Sequence, residues 1–401
     1  GTIVEEVINR RLIKTIKFTQ SQAGGQKGAS TTDHVFILRN LMEIAKKEGR
    51  HLLISFFDVR KAYDRANMEN MLYILHNNGF QGKIWRLTRE LNVGLTARIK
   101  TKAGLTREIK RETGGKQGGK LMVPMYAKSM DTVAEEMDRE AELGIKVQGQ
   151  KIPALIFMDD LTSFAEGYSQ EVKTLQAIHN FGLKHKIEWG EDKCKVMEIG
   201  THKENRKEWR LGEKTIENCK SYKYLGEVIS RDGSNSENME ARFNKVKNTV
   251  RAINTCGRGK IMKRIEIDVL VTLHDAVTLP TLLYNSETWP LNACTRKELD
   301  KIELWAWKSM IGLPKTTPTP AIMVATGALF ASIRVQIRQL IYLQKVLKKI
   351  DGHWTKTTLY NLRQHNAGWA KQVMSNLEER ELETDWDKNK ETSTMDWKRN
   401  I

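Results

Sequence analysis

The sequence predicts an α+β chain, with strand-like apolar runs interleaved with helical segments through residue 230 and helix alone after it. Two runs carry the β part. L-L-I-S-F-F-D-V-R-K-A-Y-D (52–64) opens as a buried-looking strand that ends in a lone acid, Asp58. A-L-I-F-M-D-D-L-T-S-F-A (154–165) sets Asp159 and Asp160 between two largely apolar halves, the pattern of a hairpin with an acidic tip. A change of texture after Y-K-Y-L-G-E-V-I (222–229) marks off the helical part.

The elements follow in order. Ile3, Val4, Val7, Ile8, Leu12 and Ile16 recur at a helical period with basic residues between them, so 3–17 is an amphipathic helix. S-Q-A-G-G-Q-K-G-A-S-T-T-D-H (21–34) is a glycine-rich loop whose Ser and Thr can cap the helix opened by V-F-I-L-R-N-L-M-E-I-A. With Lys27 it suits a phosphate-facing surface and an ordinary turn equally. Between the acid-bearing strands, M-L-Y-I-L-H-N-N-G-F and K-I-W-R-L-T-R-E-L read as helices. I-K-T-K-A-G-L-T-R-E-I-K reads as a hairpin around Ala103 and Gly104, and T-G-G-K-Q-G-G-K-L (113–121) as a second glycine cluster leading into a helix through M-Y-A-K-S-M-D-T-V. R-D-G-S-N-S (231–236) places a boundary near Ser230 to Ser236. Beyond it Phe243, Val246, Val250 and Ile253 form one helix face, with Lys245, Lys247 and Arg251 at other positions and R-G-K-I-M-K-R at 258–264. Ile337, Leu340, Ile341, Leu343 and Leu347 form another apolar stripe, and these positions are core. The basic positions are either solvated or follow a polyanion backbone. After Glu378 the chain turns acidic and polar, which predicts a loosely held end.

At 401 residues the chain has room for two or three packed units. Sixty-six Lys and Arg against 49 Asp and Glu give a formal charge of +17, the footprint of a protein that meets a polyanion. Nucleic acid is favoured over membrane, because no apolar stretch approaches the roughly 18 residues of a spanning helix. No secretory signal is visible. Cys194, Cys219, Cys256 and Cys294 make no C-x-x-C pair and have no histidine at zinc spacing, which predicts reduced thiols in an intracellular protein. Any metal here is held by oxygen.

Adjacent acids flanked by strand formers make a poor core, since each buried carboxylate needs a partner. They make a good grip on a divalent cation. Magnesium takes hard oxygen ligands and keeps waters and substrate phosphates in its shell, so two or three protein carboxylates place it. Nucleotidyl transfer needs an activated 3′-hydroxyl and a neutralised leaving pyrophosphate, which two metal ions about 4 Å apart supply. Asp58, Asp159 and Asp160 would be the clamp. Tyr63, five residues past Asp58, could stack under an incoming sugar and crowd a 2′-hydroxyl, and Gln117, between glycines, could approach a nucleotide.

Those motifs resemble the reverse transcriptases of non-LTR (LINE-like) retrotransposons over about residues 1–350. F-F-D-V-R-K-A-Y-D is similar to the family's motif A, G-G-K-Q-G-G-K-L to motif B, F-M-D-D to motif C, G-L-K-H-K-I-E-W-G-E-D-K-C-K-V-M to motif D, and Y-K-Y-L-G to the primer grip. Q-A-G-G-Q-K-G-A-S-T-T-D-H and L-Y-N-S-E-T-W resemble further segments of the same elements. The resemblance implies a right-hand polymerase. Fingers, N-terminally incomplete because the family's first finger motifs lie upstream of Gly1, and a palm with a small antiparallel sheet would occupy 1–230. A thumb would follow at 231–290, a helical linker at 291–375 and the acidic end at 376–401. It implies two Mg2+ ions on Asp58, Asp159 and Asp160, Tyr63 as the gate against ribonucleotides, and Gln117 and Gly118 at the nucleotide. Lys193 would be the motif D lysine near the pyrophosphate, a position at which a plain surface cation is an equal reading. Lys27, Tyr224, Leu225, Gly226, Lys245, Lys247 and Arg251 would contact nucleic acid. Met158 stands where the family usually has alanine, and Pro124 lies one place later than expected. The implied partners are an RNA template, a DNA primer or target strand, their RNA–DNA hybrid and deoxynucleoside triphosphates, with no membrane. The implied activity is RNA-directed DNA synthesis in target-primed form, in the nucleus. A polymerase-derived RNA-binding or splicing scaffold without catalysis is the alternative, and retention of three unpaired acids speaks against it.

Overall fold

A computed structural model describes residues 2–102, 104–110, 113–115, 118–200, 208–258 and 266–401. Gln117 and most of the basic run 258–264 lie outside the described residues. The chain divides into two compact units, Gly1–His34 with Gly49–Cys219 and Val35–Glu48 with Lys220–Ile401.

The first unit begins with α1 (Thr2–Thr15), and the helix α2 (Thr31–Glu48) is shared between the units. Next come β1 (Leu52–Phe57), the short α3 (Ala62–Arg65), α4 (Met68–Asn77) and α5 (Gly82–Glu90). The hairpin expected around Ala103 and Gly104 is built from exposed two-residue ladders, β2 (Thr96–Ala97) with β5 (Ile109–Lys110) around β3 (Lys100–Thr101) with β4 (Gly104–Leu105). Then follow α6 (Met122–Arg139), the hairpin β6 (Ile145–Val147) and β7 (Gln150–Ile152), and the hairpin β8 (Ala154–Phe157) and β9 (Asp160–Glu166). The unit closes with α7 (Tyr168–His185), β10 (Lys195–Ile199), β11 (Trp209–Leu211) and β12 (Lys214–Asn218).

Six strands form one sheet in the order β11-β12-β10-β1-β9-β8. The expected sheet was small and antiparallel; the observed one is mixed, because β10 and β12 run parallel. β1 is paired on both sides, with β9 and β10, and all six of its residues are buried, so its continuous L-L-I-S-F-F run is that of a central strand. Leu53, Phe57, Ile156, Leu161 and Val196 join Met122, Met125 and Met130 of α6 and Leu175 and Ile178 of α7 in the core of this unit. Pro124 sits in the first turn of α6, where its missing N–H costs no hydrogen bond, so the shifted proline is tolerated. Lys128, 1% exposed, ties α6 to the chain after α1 by donating to the Lys17 carbonyl (2.8 Å), Asp131 (2.9 Å) and Glu135 (2.6 Å).

The second unit holds the hairpin β13 (Ser221–Tyr224) and β14 (Glu227–Ser230), which the sequence reading placed on the palm side of a boundary near Ser230. The hairpin is anchored here by Glu227. This fully buried carboxylate accepts from Arg39 of α2 at 3.0 Å and from the Trp289 indole at 2.6 Å. The rest is helical: α8 (Ser236–Arg258), α9 (Ile267–Leu273), a π-helical turn at His274–Thr278, α10 (Leu279–Leu282), α11 (Ala293–Ile311), α12 (Thr319–Thr326), α13 (Ala331–Leu347), α14 (Trp354–Gln364), α15 (Gly368–Glu378), α16 (Trp386–Glu391) and α17 (Thr394–Asn400). Val246 and Val250 of α8 are fully buried with Leu299 and Ala306 of α11 and Val335 of α13, with Phe243 and Ile253 packed against them, as the helical spacing predicts. The polar composition after Glu378 predicts a loose end. There, however, Trp386 is completely buried and Trp397 nearly so, and the latter donates to the Leu340 carbonyl at 3.0 Å. Cys194, Cys219 and Cys294 are free thiols. Among the described residues no single helix is long and apolar enough to cross a membrane.

One buried acid makes the sheet's stability depend on pH. Glu171 of α7 is fully buried and accepts from the Ser55 hydroxyl of β1, and burial pushes its pKa from 4.5 up to about 7. Below pH 4.5 the carboxyl is neutral in the folded and the unfolded chain. As pH rises towards 7 the unfolded chain ionises while the fold holds the proton, so stability falls, by about 3 kcal/mol in all at roughly 1.4 kcal/mol per unit. Glu171→Gln keeps the acceptor and removes the ionisation. Its gain in stability over the parent is expected to grow between pH 5 and pH 8 in denaturant titrations, and a constant difference would show that Glu171 does not titrate with folding.

Candidate active site

The pairing of β1 with β9 sets the site. Phe57, the last residue of β1, lies opposite Leu161, so Asp58 leaves the sheet beside Asp160, the first residue of β9. The tip of the β8–β9 hairpin is Met158-Asp159, with Phe157 paired to Asp160 across it. Met158 has φ +60° and Asp159 does not have a positive φ, the pattern of a II′ turn whose first central residue is usually glycine. A methionine there is strained, at a cost on the order of 1–3 kcal/mol that the surroundings must offset.

The offset comes from the glycine-rich loop after α1. Gln22, 2% exposed, accepts from the Met158 amide (3.2 Å) and the Gly24 amide (2.7 Å) and donates to the Ala127 carbonyl of α6 (3.0 Å). Two backbone hydrogen bonds flank it, from Ile156 to the Ser21 carbonyl (2.7 Å) and from Ala23 to the Ile156 carbonyl (2.9 Å). Gly24 is required by contact, because a Cβ there would stand 2.5 Å from the Met158 amide nitrogen. The family resemblance implies that Lys27 of this loop contacts nucleic acid. Lys27 is exposed, and the parts of the loop that reach the hairpin are Gln22 and Gly24.

A second docking brings Lys193 to Asp58. The Gly190 amide donates to the Asp58 carbonyl at 2.7 Å, Arg60 donates to the Glu188 carbonyl at 2.8 Å, and Val59 bridges Trp189. From the turn Glu191–Lys193, the Lys193 ammonium donates to both Asp58 oxygens, at 3.1 and 3.0 Å. That bond draws the Lys193 pKa above its ordinary value. Burial, repulsion from Asp159 and repulsion from Asp58, in that order, push Asp160 up to about 6. Asp159 is raised by burial and by Asp58, with Lys193 opposing. Asp159 and Asp160 are thus each made harder to ionise by burial and by an acidic neighbour, the condition a bound cation relieves.

Tyr63, half-buried on α3, lies 5.2 Å from the Tyr126 ring of α6, and its hydroxyl is raised by burial and by Asp159. The reading of motifs missed Tyr126. Its hydroxyl is buried without a hydrogen-bond partner, and burial, then Asp159, Tyr63 and Asp58, push its pKa upward. The only signal for it in the sequence is its place one turn into the helix that follows the second glycine cluster. That cluster rests on α3, with Gly115 donating to the Tyr63 carbonyl (2.9 Å) and Gly114 to that of Ala66 (3.0 Å). Gly118 is exposed, and Gln117 lies outside the described residues.

In the second unit, Leu225 and Gly226 form a two-residue turn with both φ positive, which explains the glycine. Their carbonyls accept from Tyr284 (3.2 Å) and Arg242 (2.8 Å). Tyr224 is 2% exposed, so this segment can present its turn but not the Tyr224 ring. On α8, Lys245 is exposed and held below the ordinary lysine pKa by partial burial and by Arg242 and Lys223; Lys247 lies 3.9 Å over the Phe243 ring, and Arg251 is exposed.

The oxygen-only donor set of Asp58, Asp159 and Asp160 suits a hard divalent cation. Among the described residues, however, no group of three His, Cys, Asp or Glu is drawn into ligating geometry, and Lys193 supplies the countercharge to Asp58. A central strand and an adjoining hairpin that bring three acids together, in a strongly basic chain, suit a nucleic-acid polymerase. The sequence profile of the reverse transcriptase (RNA-dependent DNA polymerase) family matches residues 1–229, and the chain belongs to that family. It is 22% identical over 180 residues to the retrovirus-related Pol polyprotein from type-1 retrotransposable element R2 of Popillia japonica, covering 45% of this chain and 25% of that protein. The chain thus spans a quarter of that relative's length. Solved telomerases are also similar. That of Candida albicans with a fragment of telomeric RNA has a TM-score of 0.46 at 11% identity, covering 82% of this chain and 56% of that one. Apo telomerase of Candida tropicalis has 0.45 at 14%, covering 99% and 60%. The family generally uses divalent metals and acts on nucleic acids.

Gln22→Ala removes the acceptor from a strained tip and is expected to destabilise the fold by about 1–3 kcal/mol in urea titration. An unchanged midpoint would show that other contacts hold Met158.

Proposed function

We propose that this chain copies an RNA template into DNA as the polymerase of a non-LTR retrotransposon, extending the 3′ end of a nicked target strand in the nucleus. The observation that supports this reading most is the β1–β9 register, which brings Asp58 beside the Asp159-Asp160 tip. Asp58, Asp159 and Asp160 would hold two Mg2+ ions. The ions would lower the pKa of the primer 3′-hydroxyl and neutralise the departing pyrophosphate.

The remaining roles belong to side chains. Tyr63, braced by Tyr126, crowds the 2′ position of an incoming nucleotide and so selects deoxynucleoside triphosphates. Gln117 and Gly118 line the nucleotide. Lys193, whose side chain is 68% exposed, exchanges its screened pairing with Asp58 for the pyrophosphate at little cost. Lys27, the Tyr224-Leu225-Gly226 turn, Lys245, Lys247 and Arg251 position the template, the primer and the RNA–DNA hybrid through phosphate contacts that weaken with salt.

A scaffold without catalysis is the second reading, favoured by the Lys193–Asp58 pair and the unassembled ligands. Primer extension on an RNA template with deoxynucleotides and Mg2+ separates the two. The chain is expected to extend the primer and Asp159→Asn to lose essentially all incorporation; equal products from both, or none from the parent, would end the polymerase reading. In the same assay Tyr63→Val is expected to raise ribonucleotide use at least tenfold, in proportion to about 1.4 kcal/mol of lost discrimination. An unchanged preference would remove Tyr63 from the gate.

A further inference from the structure

Away from the acids, α11 carries a second chemistry. A groove of about 630 Å³ is lined by Lys297, Asp300, Lys301, Trp305, Lys308 and, past the helix, Lys315. Positions 297, 301, 304, 305 and 308 recur by fours and sevens, so they share one face of α11, along roughly 16 Å of helical rise. Of the three acids of α11, Glu298 is exposed, and the other two are engaged by backbone and hydroxyl groups. Asp300 accepts from the amide and hydroxyl of Ser332, both at 2.9 Å, and the buried Glu303 accepts from the Ala331 amide. Among the described residues no carboxylate pairs with any of the four lysines. Lys308 donates instead to the Lys315 carbonyl (2.7 Å), which folds the chain after α11 back along the groove. Trp305 is half-buried and meets Phe243 edge-to-face at 5.4 Å, and the Lys247 ammonium lies 3.9 Å over the Phe243 ring. An indole among ammonium groups that no carboxylate pairs combines a stacking surface for bases with countercharge for phosphates.

We infer that this groove on α11 binds a single strand of nucleic acid, with Lys297, Lys301 and Lys315 on the phosphates and Trp305 stacked on a base. The inference rests on the reading of the chain as a nucleic-acid enzyme but involves none of the acids of the palm.

The test is fluorescence anisotropy of a labelled single-stranded RNA of about 15 nucleotides, titrated over a range of salt without deoxynucleotides. Lys297→Gln with Lys301→Gln is expected to weaken binding and to lower the slope of log K against log salt by roughly 1.4. Trp305→Ala is expected to weaken binding about fivefold or more at an unchanged slope. Because Trp305 also packs on Phe243, the exposed lysine pair keeps the test independent of folding. The pair Lys14→Gln with Lys47→Gln, exposed lysines elsewhere, removes equal charge and is expected to change little. Unchanged affinity and slope in the groove pair, an equal fall in the control pair, or competition by duplex DNA as effective as by single strand would each overturn the inference. Loss of primer extension with these binding results intact would fail the polymerase reading and leave the groove standing.

Discussion

The site depends on one constraint: β1 is hydrogen-bonded on both edges and buried along its whole length. A one-residue slip against β9 would turn every side chain of a β1 buried on both faces to the opposite side, so the core specifies the register strongly. With the register fixed, the first residue beyond the strand has little freedom in where it emerges, and that residue is Asp58. Acids that would be intolerable two places earlier become useful at the strand end, where Asp58 is about a fifth exposed and open to a cation or an ammonium.

Much of this was legible because strand ends are local features. L-L-I-S-F-F followed by an acid and I-F-M-D-D-L read as strand and hairpin from pattern and length alone, and the apolar face of α8 follows from helical spacing; on α13 Leu340, Leu343 and Leu347 are buried as that spacing predicts, whereas Ile337 and Ile341 are only half-buried and Gln336, Gln339 and Gln344 take core positions. The motif order added family membership, which no single motif carries. What stayed hidden was long-range. The parallel pairing of β10 with β12 leaves no mark in either strand. Gln22 reads as an ordinary polar residue in a glycine-rich loop, and only the fold aims its amide at Met158, 136 positions away. Glu227 reads as one more surface acid until Arg39 and Trp289 close on it. The end of the chain misled because composition averages, whereas two tryptophans suffice to dock short helices.

Met158 shows how a strained position is carried. A side chain in the left-handed region would relax if its neighbours allowed it, yet its amide is held by Gln22 and the space beside it is closed by Gly24. The loop and the turn thus specify each other: glycine is needed at 24 because a larger residue would strike the tip, and Gln22 is needed because the tip amide has no ladder partner. This reciprocity gives the Q-A-G-G run a physical reason distinct from phosphate binding, and it leaves Lys27 outside the packed part of the loop.

The charge balance is the remaining tension. A chain of formal charge +17 attracts polyanions over its surface, while the end of β1 and the β8–β9 tip bring together three acids, of which Asp159 and Asp160 are raised by burial and by acidic neighbours. A polyanion drawn in by the lysines would be repelled at the last step by those acids unless their charge were met locally. Lys193 meets part of it, through an exposed pair worth about 1 kcal/mol or less, strong enough to order the turn at 190–194 and weak enough to yield. Asp159 and Asp160 feel the same ammonium only weakly, and both stay raised. Their burial makes protonation the fallback at low pH and cation binding the more effective relief at neutral pH, so a cluster that would destabilise an ordinary core edge is tolerable in a protein whose substrate brings charge of its own.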